Sequence, residues 1–148
     1  MPKWALHERP GHLTIRASRL FLRLAETKFR EFGLGVASFP VLNMLRAGEK
    51  RSQKDLAQCA QIEQPSMAQL LARLERDGMI KRSPDPNDGR SSLISLTRKA
   101  LAILPEIDEM VDAGNDEAVA GMSEQEIKIL IDLLQRLIAN LEALAKRD

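Results

Sequence analysis

The sequence predicts a mainly α-helical chain with one small β-hairpin near its middle. Three observations carry that prediction. Apolar residues recur at threes and fours through most of the 148 residues. The period changes to strand-like alternation only between Met79 and Thr97. That stretch encloses a run of turn formers, Ser83-Pro84-Asp85-Pro86-Asn87-Asp88-Gly89.

The elements follow in order. Gly11 to Phe32 reads as a helix: Leu13, Leu20 and Leu24, then Phe21, Ala25, Phe29 and Phe32, keep helical spacing, and Gly33 stops it. A second helix runs from Ser38 to Arg46, with Phe39, Leu42 and Leu45 inward and Pro40 in the tolerant first turn. Residues 47–51 read as a loop. Ser52 with Asp55 three residues on forms a capping-box pattern that opens a third helix, whose inward face is Leu56, Ala57 and Ala60. A fourth helix spans Gln64 to Asp77, with Met67, Leu70, Leu71 and Leu74 as its buried stripe and Gly78 as its stop. Met79–Arg82 and Leu93–Thr97 are the hairpin strands. A long helix then runs from about Thr97 to Val119, where Pro105 implies a mild kink or a late start. Gly121-Met122 breaks it. Ser123 with Glu126 is a second capping box, opening a last helix to Ala145 with Ile127, Leu130, Leu134, Leu137, Leu141 and Leu144 on one side and Ile131 and Ile138 flanking.

Composition narrows the function classes. An apolar fraction of 44% with 29% charged residues describes a soluble globular chain. No apolar run approaches the roughly 18 residues of a membrane span, and Trp4–Leu6 is too short for a signal-peptide core, so a cytoplasmic protein is expected. Cys59, the one cysteine, excludes an internal disulfide and a Cys-rich zinc site, and beside Ala57 and Ala60 it is expected as a buried, inert thiol. His7 and His12 are five apart, off the i,i+4 spacing of a helical metal pair. With no nucleophile–base pair, metal cluster or phosphate loop in view, neither an enzyme nor a cofactor or metal is expected. Residues 1–45 and 46–99 each carry net +4, whereas residues 100–148 carry net −7. A basic front with an acidic tail suits a polyanionic partner.

Two short helices joined by a tight turn and followed by a hairpin describe a winged helix-turn-helix, whose second helix lays its first turn in the DNA major groove. Gln64, Ser66 and Gln69 fall on the exposed face of that helix. Gln bonds adenine N6 and N7, and Ser bonds base edges or phosphate; the same residues also suit a plain solvated helix start. At the hairpin, Arg90 suits the narrow minor groove of A·T-rich DNA, aimed by a carboxylate pair with Asp88. The alternative is an exposed turn ion pair of little consequence. The last helix carries more branched apolar residues than one thin contact needs, which favours a second copy over packing on its own chain.

The stretch Leu71-Ala72-Arg73-Leu74-Glu75-Arg76-Asp77-Gly78-Met79-Ile80-Lys81-Arg82, then Pro86-Asn87-Asp88-Gly89-Arg90, then Leu93 and Leu96-Thr97, resembles the MarR family of bacterial transcription regulators. Ile62-Glu63-Gln64-Pro65-Ser66-Met67 and Leu96-Thr97-Arg98-Lys99-Ala100 look most like its SlyA branch. The resemblance implies a homodimer with interleaved first and last helices, reading a pseudo-palindromic operator as a repressor or anti-silencer at the nucleoid. It divides the chain into a dimerisation helix (1–36), a winged DNA-binding domain (37–98) and C-terminal dimerisation helices (99–148). The candidate DNA contacts are Ser52, Gln53, Gln64, Pro65, Ser66, Gln69, Arg73, Asp88 and Arg90. Family members often bind a small aromatic carboxylate such as salicylate; His12, Arg16, Arg19 and Phe39 are the candidate lining residues, each also readable as a solvated or structural side chain. Two departures stand out. Gln69 replaces an arginine common in the branch, which leaves the operator open. Gly89 and Ser91-Ser92 replace more basic wing residues, so weaker non-specific affinity is expected. A winged module that binds another protein rather than DNA is the alternative, since fold does not fix function.

Overall fold

A computed structural model describes Met1 and residues 3–147. The chain divides into two compact units, Met1–Val111 and Asp112–Asp148. After a short turn of 3-10 helix at Leu6–Glu8 come α1 (Pro10–Glu31), α2 (Ser38–Leu45), β1 (Arg51–Ser52), α3 (Gln53–Ala60), α4 (Gln64–Arg76), β2 (Ile80–Asp85), β3 (Asp88–Leu96), α5 (Arg98–Ala118) and α6 (Glu124–Ala145). No helix among the described residues is long and apolar enough to cross a membrane.

The core of the first unit gathers Val41, Leu42 and Leu45 of α2, Leu56 and Ala57 of α3, and Met67, Leu70, Leu71 and Leu74 of α4. Ile80, Ile94 and Leu96 of the sheet and Ala100, Leu104 and Ile107 of α5 close over them. Helical spacing put these residues on one face of each helix, and their removal from water holds the helices together. Phe29 is the one buried residue of α1; Leu13, Leu20, Phe21 and Leu24 keep the same spacing but stand about half exposed or more.

The local stops act as the sequence predicts. The Ser52 hydroxyl accepts from the Asp55 N–H at 3.1 Å while the Asp55 carboxylate takes the Ser52 hydroxyl at 2.8 Å. Gly78 adopts a left-handed φ of 74°, which lets the Met79 N–H reach back to the Leu74 carbonyl at 2.8 Å and turns the chain from α4 into β2. The Thr97 hydroxyl donates to the Gly78 carbonyl at 2.6 Å and accepts from the Ala100 N–H at 3.2 Å. One threonine thus fastens that turn and caps α5. Pro105 lies inside a helix already running from Arg98, so the late start does not occur.

Two expectations are corrected. Residues 47–51 are not all loop, because Arg51 and Ser52 pair with Ile94 and Leu93 and make β1 the edge of a sheet ordered β1-β3-β2. A two-residue strand is created by its partner and has no pattern of its own. The hairpin is also longer than predicted: Ser83–Asp85 belong to β2 and Asp88–Ser92 to β3, leaving only Pro86-Asn87 as the tip. Its outer arms carry Asp, Ser, Arg and Gly, so the alternation that marks a half-buried strand is missing there.

The second unit contains α6, opened by the second capping box, with the Ser123 hydroxyl accepting from the Glu126 N–H at 3.2 Å. No residue of α6 is buried. Ile131, Leu134, Ile138, Leu141 and Leu144 are each about half exposed.

Candidate nucleic-acid interface

The turn between α3 and α4 sets the site. Gln61 takes a left-handed φ of 53°, and the Ile62 N–H bonds the Ala57 carbonyl at 3.0 Å. A non-glycine residue holds this conformation at a steric cost of roughly 1–2 kcal/mol, and the reward is a tight reversal that sets α4 across α3. On α4 the buried stripe fixes the opposite face: Gln64, Pro65, Ser66, Gln69 and Arg73 are all exposed. Ser66, Gln69 and Arg73 follow each other at three and four residues, so they share one outward row. The N-cap Glu63 makes no side-chain cap bond, which leaves first-turn N–H groups of α4 open to an anion.

The first residues of α3 and α4 and the hairpin enclose a groove of about 470 Å³. Ser52, Gln53 and Gln64 form one wall; Arg82, Asp88 and Arg90 form the other, and Lys54 and Asp55 stand at the start of α3. Gln53 donates its amide N–H to the Gln64 Oε1 at 3.1 Å, which ties the two helix starts together. Arg82 Nε meets Glu75 Oε2 at 3.0 Å and moors the hairpin to α4. The hydrogen bond from Ser52 holds the Asp55 carboxyl below its ordinary pKa. Lys54 and Arg82 were not among the sequence candidates. Lys54 follows Gln53 directly, which was a usable signal; Arg82 gave none, because the hairpin fold brings it in.

Two side-chain expectations fail here. Asp88 does not pair with the Arg90 guanidinium; its Oδ1 accepts from the Arg90 backbone N–H at 3.0 Å. A short carboxylate two residues from an N–H closes a local turn more easily than it reaches the end of a long side chain. Cys59 is exposed rather than buried. At 3.6 residues per turn it stands roughly 200° from Ala57, off the inward face.

The ligand candidates are not gathered within one copy. His12, Arg16 and Arg19 are exposed along α1, whereas Phe39 is half-buried with its ring edge-on to Phe29 at 5.7 Å. Arg19 and Phe29 are ten residues apart, about 15 Å along a helix. A separate cavity of about 580 Å³ is floored by Phe32, Leu34, Met79 and Ile103, with Arg76 and Lys99 at its margin; none of the four candidates lines it.

A helix-turn-helix whose second helix turns a polar row outward beside a three-stranded sheet and its hairpin defines a winged helix. A family model described as MarR family matches residues 32–91, from the end of α1 into β3. Solved structures agree over nearly the whole chain. A probable transcriptional regulator from Pseudomonas aeruginosa is 28% identical, with a TM-score of 0.81 over 90% of this chain and 99% of that one. The S. aureus MepR–DNA complex is 24% identical, with a TM-score of 0.81 over 89% and 98%. The PcaV transcriptional regulator from Streptomyces coelicolor, in complex with its natural ligand, is 25% identical, with a TM-score of 0.76 over 94% and 98%. The fold is the winged helix of MarR-family structures.

Proposed function

We propose that this chain is a homodimeric transcriptional regulator of the MarR family that binds a pseudo-palindromic operator in double-stranded DNA, as a repressor or an anti-silencer. The observation that carries the reading is the α4 surface. Gln64, Ser66, Gln69 and Arg73 face outward while Met67, Leu70, Leu71 and Leu74 lock the helix to the core, and Gln64 shares a groove with the hairpin residue Arg90. Such a helix enters the major groove with its first turn, and a wing arginine enters the neighbouring minor groove. Ser52 and Gln53 then face the phosphate backbone beside it, with Lys54 added to the set. The DNA in the MepR complex supports the same use of this fold. The motifs at residues 62–67 and 96–100 favour the SlyA branch.

Residues 37–98 act as the DNA-binding part, and residues 1–36 and 99–148 as the parts that bring two copies together. The exposed apolar residues of α1 and those of α6 support this: each half-exposed Leu or Ile gains about 1 kcal/mol on full burial. The ligand in the PcaV complex supports a small-molecule effector. A small aromatic carboxylate held by His12, Arg16, Arg19 and Phe39 requires residues from two copies, given their separation along one chain. The protein works in the cytoplasm, on the nucleoid.

The test is a salt titration of binding to the DNA upstream of the chain's own gene, beside a scrambled duplex of equal length. Lys54, Arg82 and Arg90 in each of two copies give about four to six neutralised phosphates, hence a log–log salt slope of about −4 to −5. Preference for the native duplex with that slope supports the reading. Equal and weak binding to both duplexes, with a protein partner captured instead, favours the protein-binding module.

A further inference from the structure

The first and fifth helices carry two rows of like charge with the same spacing. Arg16, Arg19 and Arg23 stand at i, i+3 and i+7 on α1, and Glu109, Asp112 and Asp116 stand at i, i+3 and i+7 on α5. Each row therefore lies along one side of its helix and spans about 10 Å. All six side chains are exposed. Among the described residues, none of the six takes part in an ion pair. Neither helix neutralises its own row. The carboxylate of Glu26, three residues beyond Arg23, is turned to the Val36 N–H at 3.1 Å, and no Lys, Arg or His occurs between Lys99 and Lys128. Like charges three and four residues apart repel, so each row destabilises its helix until a counter-charge covers it.

We infer that the arginine row of α1 docks on the acidic row of α5 in a second copy, and that the match between the two rows decides which chains associate. The inference rests on the homodimer proposed above. The rows fit three to three. With the helices parallel, Arg16 meets Glu109, Arg19 meets Asp112 and Arg23 meets Asp116. With the helices antiparallel the middle pair is out by one residue, about 1.5 Å, which a long arginine side chain covers. Two-fold symmetry repeats the contact, so the three pairs form twice. The arginine row also borders the half-exposed Leu13 and Leu20, which lie three residues before Arg16 and four after it. Burial of such residues supplies the attraction, and the flanking charges select orientation and partner, as charges beside the apolar seam do in coiled coils. An arginine has five N–H donors, so a pair with one carboxylate leaves donors for the effector carboxylate.

The experiment uses two full-length variants. One carries Arg16→Glu, Arg19→Glu and Arg23→Glu; the other carries Glu109→Lys, Asp112→Lys and Asp116→Lys. All six are exposed helix positions, where Glu and Lys are good helix formers. In the homodimer of either variant both contacts set like charge against like. In the heterodimer both contacts set opposite charges together, Glu on Lys at one and Arg on carboxylate at the other. Sedimentation equilibrium at low salt measures each dimerisation, and native mass spectrometry of an equimolar mixture counts the heterodimers.

Each variant alone is expected to dimerise at least about 10-fold more weakly than the wild type, and the mixture to form heterodimers in large excess. At about 1 M salt, where the screening length is about 3 Å, the differences should shrink. Recovery on mixing also shows that both variants fold. Variants that dimerise as the wild type does, or a mixture with no more heterodimer than chance pairing gives, overturn the inference. So does an arginine-row variant that remains a dimer and loses DNA binding, which assigns the row to DNA. A monomeric wild type overturns the homodimer itself, which is a separate result.

Discussion

Asp88→Asn separates two accounts of the wing by the sign of its effect. In the structure the Asp88 carboxylate accepts from the Arg90 backbone N–H at 3.0 Å and holds no guanidinium. Asparagine keeps a side-chain carbonyl in the same place, so the turn survives. What disappears is a negative charge on the wall of the groove that also holds Lys54, Arg82 and Arg90. A unit charge about 8 Å from a phosphate in water costs roughly 0.5 kcal/mol before screening, and physiological salt removes part of that. Asp88→Asn should therefore tighten DNA binding by about two-fold. If Asp88 instead aimed the Arg90 guanidinium, the variant would loosen a specific contact worth about 1–3 kcal/mol and weaken binding five-fold or more. Fluorescence anisotropy on a selected duplex at about 0.15 M salt reads the difference. Weakening of five-fold or more refutes the backbone-capping account of Asp88.

The remaining predictions concern stability, pH and assembly. Ser52→Ala removes the cap of α3 and should lower unfolding free energy by about 1 kcal/mol in a urea titration. The Asp55 carboxyl, held low by Ser52, contributes stability fully above the ordinary carboxyl pKa of about 3.9 and loses it as pH falls through its lower folded value. Asp55→Asn should flatten that part of the acid unfolding curve. Thr97→Val leaves the Gly78 carbonyl and the Ala100 N–H without their hydroxyl partner and should destabilise by about 1–3 kcal/mol, read as a lower thermal midpoint. Leu134→Lys with Ile138→Lys places two charges on one exposed apolar row of α6; if two copies associate through this row, sedimentation velocity at low micromolar concentration should find a dimer for the wild type and monomers for the variant.

The parts of the fold written in short-range chemistry were legible in the sequence. Ser52 with Asp55, Ser123 with Glu126, and Gly78 at the end of α4 each act within a few residues, so the pattern and the physical event coincide. The core stripe of α4 was legible for the same reason. Features that depend on a distant partner were not. The β1 strand exists through Ile94 and Leu93, some forty residues away, and the long arms of the hairpin pair polar residues that carry no alternation. At the site, the outward row of α4 was readable because the inward row was unmistakable. The Gln53–Gln64 bond was not, since it depends on how two helix starts meet across the turn. Arg82 reaches the groove only because β2 folds back along α4, where Glu75 holds it. For Cys59, small neighbours suggested burial, but its angular position on α3 decided the matter.

The central claim is that two copies set α4 into successive major grooves with Arg90 in the flanking minor grooves. Footprinting of a selected duplex tests it most directly, with dimethyl sulfate reporting the major groove and hydroxyl radicals the minor groove. Two protected half-sites related by two-fold symmetry are expected, with centres about one helical turn apart, and Arg90→Ala should lose only the outer minor-groove protection. A single unsymmetrical patch, or protection spread evenly along the duplex, contradicts the claim.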